Sequence, residues 1–174
     1  VSGTLLGYHR EGRLLAHDKD IDVGIVGWED QFAVANAILQ SGHFGLDSRR
    51  LRGSKTYHIP VRHIETRVSI DIFIYHEEGG KLVTGVESYF GYLQKFAFTP
   101  FGLSKVGFLG IDFYVPDDIE TNLAENFGNW RQSDPDYISP LQSPSTVDVG
   151  GKVFQIVGRI RALVEPQLAA AHAG

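Results

Sequence analysis

The sequence predicts an α+β domain, with helices packed on an antiparallel or mixed sheet, on three observations. Residues 67–75 alternate apolar and polar side chains with the period of a half-buried strand. Residues 29–41 and 152–164 instead repeat their apolar positions with the 3.6-residue period of amphipathic helices. Short β-prone runs fill the space between, separated by Gly, Pro and Asp. With 174 residues and 43% hydrophobic content, the chain can build one core, and a single domain over 1–174 is expected.

Gly3-Thr4 opens a short segment, Leu5 to Arg10, that reads as one or two helical turns behind a threonine N-cap, and Glu11-Gly12 then reverses the chain. Val1-Ser2-Gly3 reads as the end of a strand. From Leu14 to Val26 the pattern is strand-like, with Ile21, Val23 and Ile25 alternating against Asp20, Asp22 and Gly24. Glu29 to Ser41 is a helix by the spacing of Phe32, Ala35, Ile38 and Leu39, with Gly42 as its stop. Further strands are expected near Leu46, over Thr56 to Ile64 and over Arg67 to Tyr75. Residues 88–101 are aromatic with little regular period and read as core rather than site. Val106 to Val115 reads as a hairpin turning near Gly110, and Pro116-Asp117-Asp118 caps a helix to about Asn126. Residues 133–148 read as loop, and Lys152 to Val164 as a closing helix that Pro166 ends.

The formal charge of −5 repels a polyphosphate backbone, so nucleic acid is not an expected partner. The absence of cysteine removes disulfides, thiolate nucleophiles and sulfur-based zinc sites. Any metal must therefore sit on oxygen or imidazole. The best apolar run, near the C-terminus, is broken by Lys152, Arg159 and Arg161, so no membrane span is expected and the domain reads as soluble, cytoplasmic if bacterial.

Residues two apart on a strand point to the same face, so Asp20 and Asp22 present their carboxylates side by side. Isolated Asp-x-Asp pairs are most often solvated edges, but here Ile21, Val23 and Ile25 demand burial and pin the pair to a sheet. Asp71 repeats the situation, pointing away from Ile70, Ile72 and Ile74. Read alone, it is as well explained by a salt bridge to Arg67 or Arg10 as by a metal. Together, three carboxylates from two strands are what phosphoryl transfer with Mg2+ (or Mn2+) requires. Upstream, Gly3 and Thr4 offer backbone amides and a hydroxyl as a seat for phosphate, and Arg10 can neutralise further charge. Lys19 reads as a surface lysine. The histidines lack the usual ligand spacings: His58 and His63 read as surface or loop residues, and His17, beside the acidic pair, is the one worth testing.

The run Ser2-Gly3-Thr4-Leu5-Leu6-Gly7, Arg10 and Asp20-Ile21-Asp22-Val23-Gly24 resembles the opening of the LicD and fukutin group of phosphotransferases. Ile70-Asp71-Ile72-Phe73 matches its third carboxylate, and Val115-Pro116 and Phe127-Gly128-Asn129-Trp130 resemble its distal signatures, so the resemblance spans about residues 2–137. Lys19-Asp20-Ile21-Asp22 leans towards fukutin, since many LicD proteins carry three consecutive aspartates where this chain has Asp18-Lys19-Asp20. The family's strand before Ser2 lies outside this sequence, so the segment reads as truncated at its N-terminus, part of a larger polypeptide.

The resemblance implies a nucleotidyltransferase (polymerase-beta-like) fold and transfer of a phosphorylated alcohol, such as ribitol phosphate or phosphocholine, from a CDP-linked donor to a glycan acceptor of the kind found in cell-surface polysaccharide. Asp20, Asp22 and Asp71 would be its catalytic and metal-binding residues, and Gly3, Thr4 and Arg10 would hold the donor. Two other readings use the same residues: nucleotidyl transfer from a nucleoside triphosphate to a small acceptor, and a non-catalytic domain that binds glycan or nucleotide.

Overall fold

A computed structural model describes residues 1–26, 31–46, 56–87 and 93–147. The helix expected at 152–164, the start of the 29–41 helix and the aromatics Tyr89, Phe90 and Tyr92 lie outside the described residues.

The strand β4 (Ser69–Glu78) is the spine of a seven-stranded, mixed sheet. Its β-branched isoleucines suit a pleated surface buried on one side. On one flank it pairs in parallel with β1 (Asp20–Val26), and on the other in antiparallel fashion with β3 (His58–His63). The parallel pairing is possible because the chain crosses over between β1 and β4 through α2 (Gln31–Gln40), β2 (Phe44–Leu46) and β3. Every other pairing is antiparallel: β2 joins β3, and β4 turns through Gly79-Gly80 into β5 (Lys81–Glu87), which is followed by β6 (Leu93–Phe98) and β9 (Thr146–Val147). Both turn glycines have positive φ, 57° and 74°, the geometry a two-residue hairpin needs.

The register sorts the sheet into two unlike faces. Ile70, Ile72 and Ile74 stand opposite Ile21, Val23 and Ile25 of β1, while Ile59 and Val61 join them from β3. Together with Ile38 of α2, residues of this face form one apolar core, in which Ile59 and Ile74 are 1% and 0% exposed. Each such isoleucine contributes about 1.5–3 kcal/mol by leaving water. Period-two alternation then forces Asp20, Asp22 and Asp71 onto the other face.

That face is approached by α1 (Ser2–Glu11). Leu5 and Leu6 of α1 pack with Leu15, with Val115 of β8 (Ile111–Pro116), with Leu123 of α3 (Ile119–Phe127) and with Trp130. Among the described residues β8 pairs only with β7 (Leu103–Phe108), and Asp118 caps α3 by accepting from the Thr121 amide, as its sequence predicts. Tyr75, Leu82, Phe96 and Phe98 make a third cluster.

The α+β class and the largely antiparallel sheet follow the sequence, and several details do not. α1 starts at Ser2, so Thr4 lies inside the helix and is not its cap, and Ser2-Gly3 is helical, not the end of a strand. β1 starts only at Asp20, because Leu15 belongs to the core beneath α1 and the intervening residues form the turn that reaches it. The spine strand runs on to Glu78, and β5 was not anticipated. Residues 93–98, expected to lack a period, form a strand whose Gln94, Phe96 and Phe98 alternate inward. The 133–148 loop contains a short helical turn, α4 (Ser139–Gln142), and β9. No described helix is long and apolar enough to cross a membrane.

Candidate active site

Asp20, Asp22 and Asp71 share one face of the β1/β4 pair, and Asp22 is the direct register partner of Asp71. α1 fastens this edge of the sheet. Thr4 Oγ1 accepts from the Asp22 amide at 2.8 Å, and the Thr4 amide donates to Asp22 Oδ2 at 3.4 Å. The Thr4 oxygen thus helps to hold Asp22, and this bond does not engage the O–H that would donate to a phosphate. The first turn of α1 also brings its backbone against the carboxylates. A Cβ on Gly3 would fall 2.5 Å from Asp18 Oδ2 and 3.2 Å from Asp22 Oδ2, so a larger residue would have to displace these carboxylates.

The resulting charge density is visible in the acidities. Burial raises Asp22 to about 6, helped by the Asp20 charge and, less, by Asp71, while the Thr4 amide opposes the shift. Asp20 is likewise raised to about 6 by burial, by a hydrogen bond and charge from Asp18, and by the Asp71 charge. Asp18, which the sequence reading left out of the candidate site, also lines the cleft beside Asp20. Asp18 precedes β1, so strand alternation could not place it beside Asp20.

Asp20, Asp22 and Asp18 open into a cleft of about 820 Å³, within the size range of ligand sites. Gly3, Arg10 and the exposed His17 line the same side, and Asn129, Trp130, Asp134, Tyr137 and Gln142 line the other. Arg10 ties the walls together: its Nη1 donates to the Trp130 carbonyl at 3.1 Å, and its Nη2 pairs with Glu11 at 3.1 Å. Lys19 is exposed, as expected.

Asp71 does not line the cleft. Its partner is neither Arg67 nor Arg10 but His58, whose Nε2 lies 3.0 Å from Asp71 Oδ1. His58 is therefore not the surface or loop histidine expected. It is 8% exposed, on β3, and the strand register that places it there is not readable from spacing. His63, at the far end of β3, bonds to Thr66 in the adjoining turn.

The donor set suits a hard cation: carboxylate oxygens, two of them with acidity suppressed by burial and mutual repulsion, and no soft ligand. Among the described residues, no three His, Asp or Glu side chains are gathered as tightly as a closed cage requires. The carboxylates share a face and not yet a point.

Residues 1–118 match the protein family described as LicD/FKTN/FKRP, nucleotidyltransferase domain. The chain belongs to the LicD/FKTN/FKRP family. Mouse ribitol-5-phosphate transferase FKTN is 27% identical over 146 residues, covering 77% of this chain and 31% of that protein. An uncharacterized protein of Rickettsia typhi is 31% identical over 131 residues, covering 74% of this chain and 39% of its own length. One of Rickettsia prowazekii is 29% identical over 132 residues, covering 74% and 46%. The chain thus spans less than half the length of each of these relatives. The family match contains all three strand carboxylates, and the Phe127-Gly128-Asn129-Trp130 run beyond it supplies part of the facing wall.

Proposed function

We propose that this LicD/FKTN/FKRP domain is a metal-dependent phosphotransferase of nucleotidyltransferase fold, which moves a phosphorylated alcohol from a CDP-linked donor to a glycan hydroxyl. The observation that carries the reading is the register of Asp22 with Asp71, with Asp20 on the same face at the mouth of the cleft. Asp20 and Asp22 would hold Mg2+ or Mn2+, with Asp71 as ligand of a second ion or as base for the acceptor. When bound, the metal supplies positive charge to the donor diphosphate and to the leaving nucleotide.

The chain's own groups do the rest. Thr4 fixes the backbone and carboxylate of Asp22, so that the strand pair presents its oxygens in a constant geometry. The N-terminal turn of α1, with Gly3 at the cleft, brings the positive end of a helix towards the donor phosphates. Arg10 holds the two walls together and adds a cation at the cleft. In the reaction, the acceptor oxygen bonds to the phosphorus that carries the alcohol, that phosphorus loses its bond to the bridging oxygen, and CMP leaves. The acceptor proton passes to Asp71 or to water.

The test is product analysis of the full chain with CDP-ribitol and an oligosaccharide acceptor, in Mg2+, Mn2+ or EDTA. Metal-dependent CMP release with alcohol phosphate on the glycan is expected. Nucleotide found on the acceptor, from a triphosphate donor, would assign nucleotidyl transfer instead. Turnover that persists with every metal chelated would refute the scheme, and donor binding without any turnover would identify a binding domain.

A further inference from the structure

We propose that His58 is a positioning residue for Asp71, holding one carboxylate oxygen so that the other is presented to the ion or acceptor. The proposal rests on the reading of Asp71 as a site residue. On β3 and β4, His58 pairs with Phe73 and Pro60 with Asp71, which makes His58 and Asp71 diagonal neighbours on one face. Pro60, directly across from Asp71, has no N–H to offer. The diagonal imidazole is the side-chain donor that the register provides.

His58 is fixed for this task. Its ring stacks on Phe73 with centroids 5.2 Å apart and planes 26° from parallel, and its side chain is 7% exposed. Nε2 is buried and carries no aligned hydrogen bond, although Asp71 Oδ1 stands only 3.0 Å away. A buried imidazole nitrogen left in that condition is costly, and the Asp71 carboxylate is the acceptor within reach. Asp71 is the more exposed of the two, at 27%, and the imidazole is the enclosed one. Outer partners of this kind govern how well a liganding carboxylate performs, and losing one lowers metal affinity or activity by about 10–100-fold.

Mn2+ binding by the full chain, followed through the electron paramagnetic resonance of the free ion, tests this alongside thermal unfolding. His58→Phe keeps the stacked ring without the donor and should weaken Mn2+ binding about 10–100-fold. His58→Gln restores an N–H near the Nε2 position and should recover most of the affinity, whereas His58→Asn is too short and should not. The Asn variant replaces the Phe variant if the latter does not fold. A purely structural role would lower the melting temperature of all three without this order. Wild-type affinity in His58→Phe, or equal loss in Gln and Asn, overturns the proposal. Asp71→Asn separates the two ideas: if it weakens Mn2+ binding and His58→Phe does not, only the role of His58 fails. If the wild-type chain binds no Mn2+, both fail.

Discussion

Asp22 and Asp71 are register partners on adjacent parallel strands, so two carboxylates project from neighbouring backbones about 4.8 Å apart on a face that is partly buried. Like charges directly opposite each other destabilise a sheet. A bound cation would relieve this repulsion, beyond what the first turn of α1 and the His58 imidazole beside Asp71 supply.

Loss of either carboxylate should therefore separate function from folding. Asp22→Asn and Asp71→Asn are each expected to lower transfer by about 10²–10³-fold or more, on the scale of losing a direct charge-stabilising group. Far-UV circular dichroism and the unfolding transition in EDTA should show an intact fold. An Asp22→Asn enzyme with wild-type CMP release would remove Asp22 from the chemistry.

The raised acidities of Asp20 and Asp22 give a pH dependence of stability with a definite sign. Both shift from 3.8 to about 6 on folding, so between those values the native state binds more protons than the unfolded chain. Their contribution is fully present below about pH 4 and is lost as pH rises through 6. In EDTA, Asp22→Asn should therefore gain stability relative to wild type as pH goes from 4 to 7. Divalent cation should reverse the trend for wild type alone, since ligation needs the ionised carboxylates. Melting temperatures of both proteins at pH 4, 5.5 and 7, with and without Mn2+, check this; parallel curves in EDTA would contradict it.

The strand carboxylates were legible in the sequence because alternation fixes the face of a side chain wherever the other face is apolar. Ile21, Val23 and Ile25 on one strand and Ile70, Ile72 and Ile74 on another leave Asp20, Asp22 and Asp71 a single side to occupy. Alternation says nothing of which strand lies beside which, and so the His58–Asp71 contact, which depends on β3 lying antiparallel to β4 at one register, could not be read. Thr4 was expected at the cap of α1, and its place inside the helix and its bond to Asp22 were not readable. A threonine after glycine signals a helix start, whereas the helix begins at Ser2 and the hydroxyl reaches across to the Asp22 amide. β5 was missed because Gly85 interrupts its alternation, and that glycine lies where a Cβ would come 2.7 Å from the Gln94 carbonyl oxygen of the paired strand.

Replacing Thr4 by valine keeps shape and removes the hydroxyl that accepts from the Asp22 amide. The amide is left without that acceptor in a partly buried place, at a cost of about 1–3 kcal/mol. Thr4→Ser should retain most of the stability. If Asp22 is held for function, the valine variant should also show weaker Mn2+ binding at a temperature where it is fully folded. Chemical denaturation and metal titration of the two variants measure these effects separately.

Gly3 and Gly7 lie one helical turn apart in α1, and alanine should act on them in opposite ways. At Gly7 the added Cβ meets backbone, the Arg13 carbonyl oxygen at 2.6 Å and the Leu15 amide at 3.0 Å, and neither can move without displacing the chain that seats Leu15 in the core. Gly7→Ala should thus lose about 1–3 kcal/mol, as overpacking does, and its activity should fall only as far as its folded fraction. At Gly3 the nearest atom is the tip of a side chain, Asp18 Oδ2, which can swing away. The fold then loses little and gains up to about 1 kcal/mol from alanine's helix propensity. The carboxylate cluster, however, is rearranged, and Mn2+ affinity and transfer should drop in a protein that melts no lower than wild type. A Gly3→Ala protein with unchanged metal binding would mean that the close approach of α1 to the carboxylates serves packing alone.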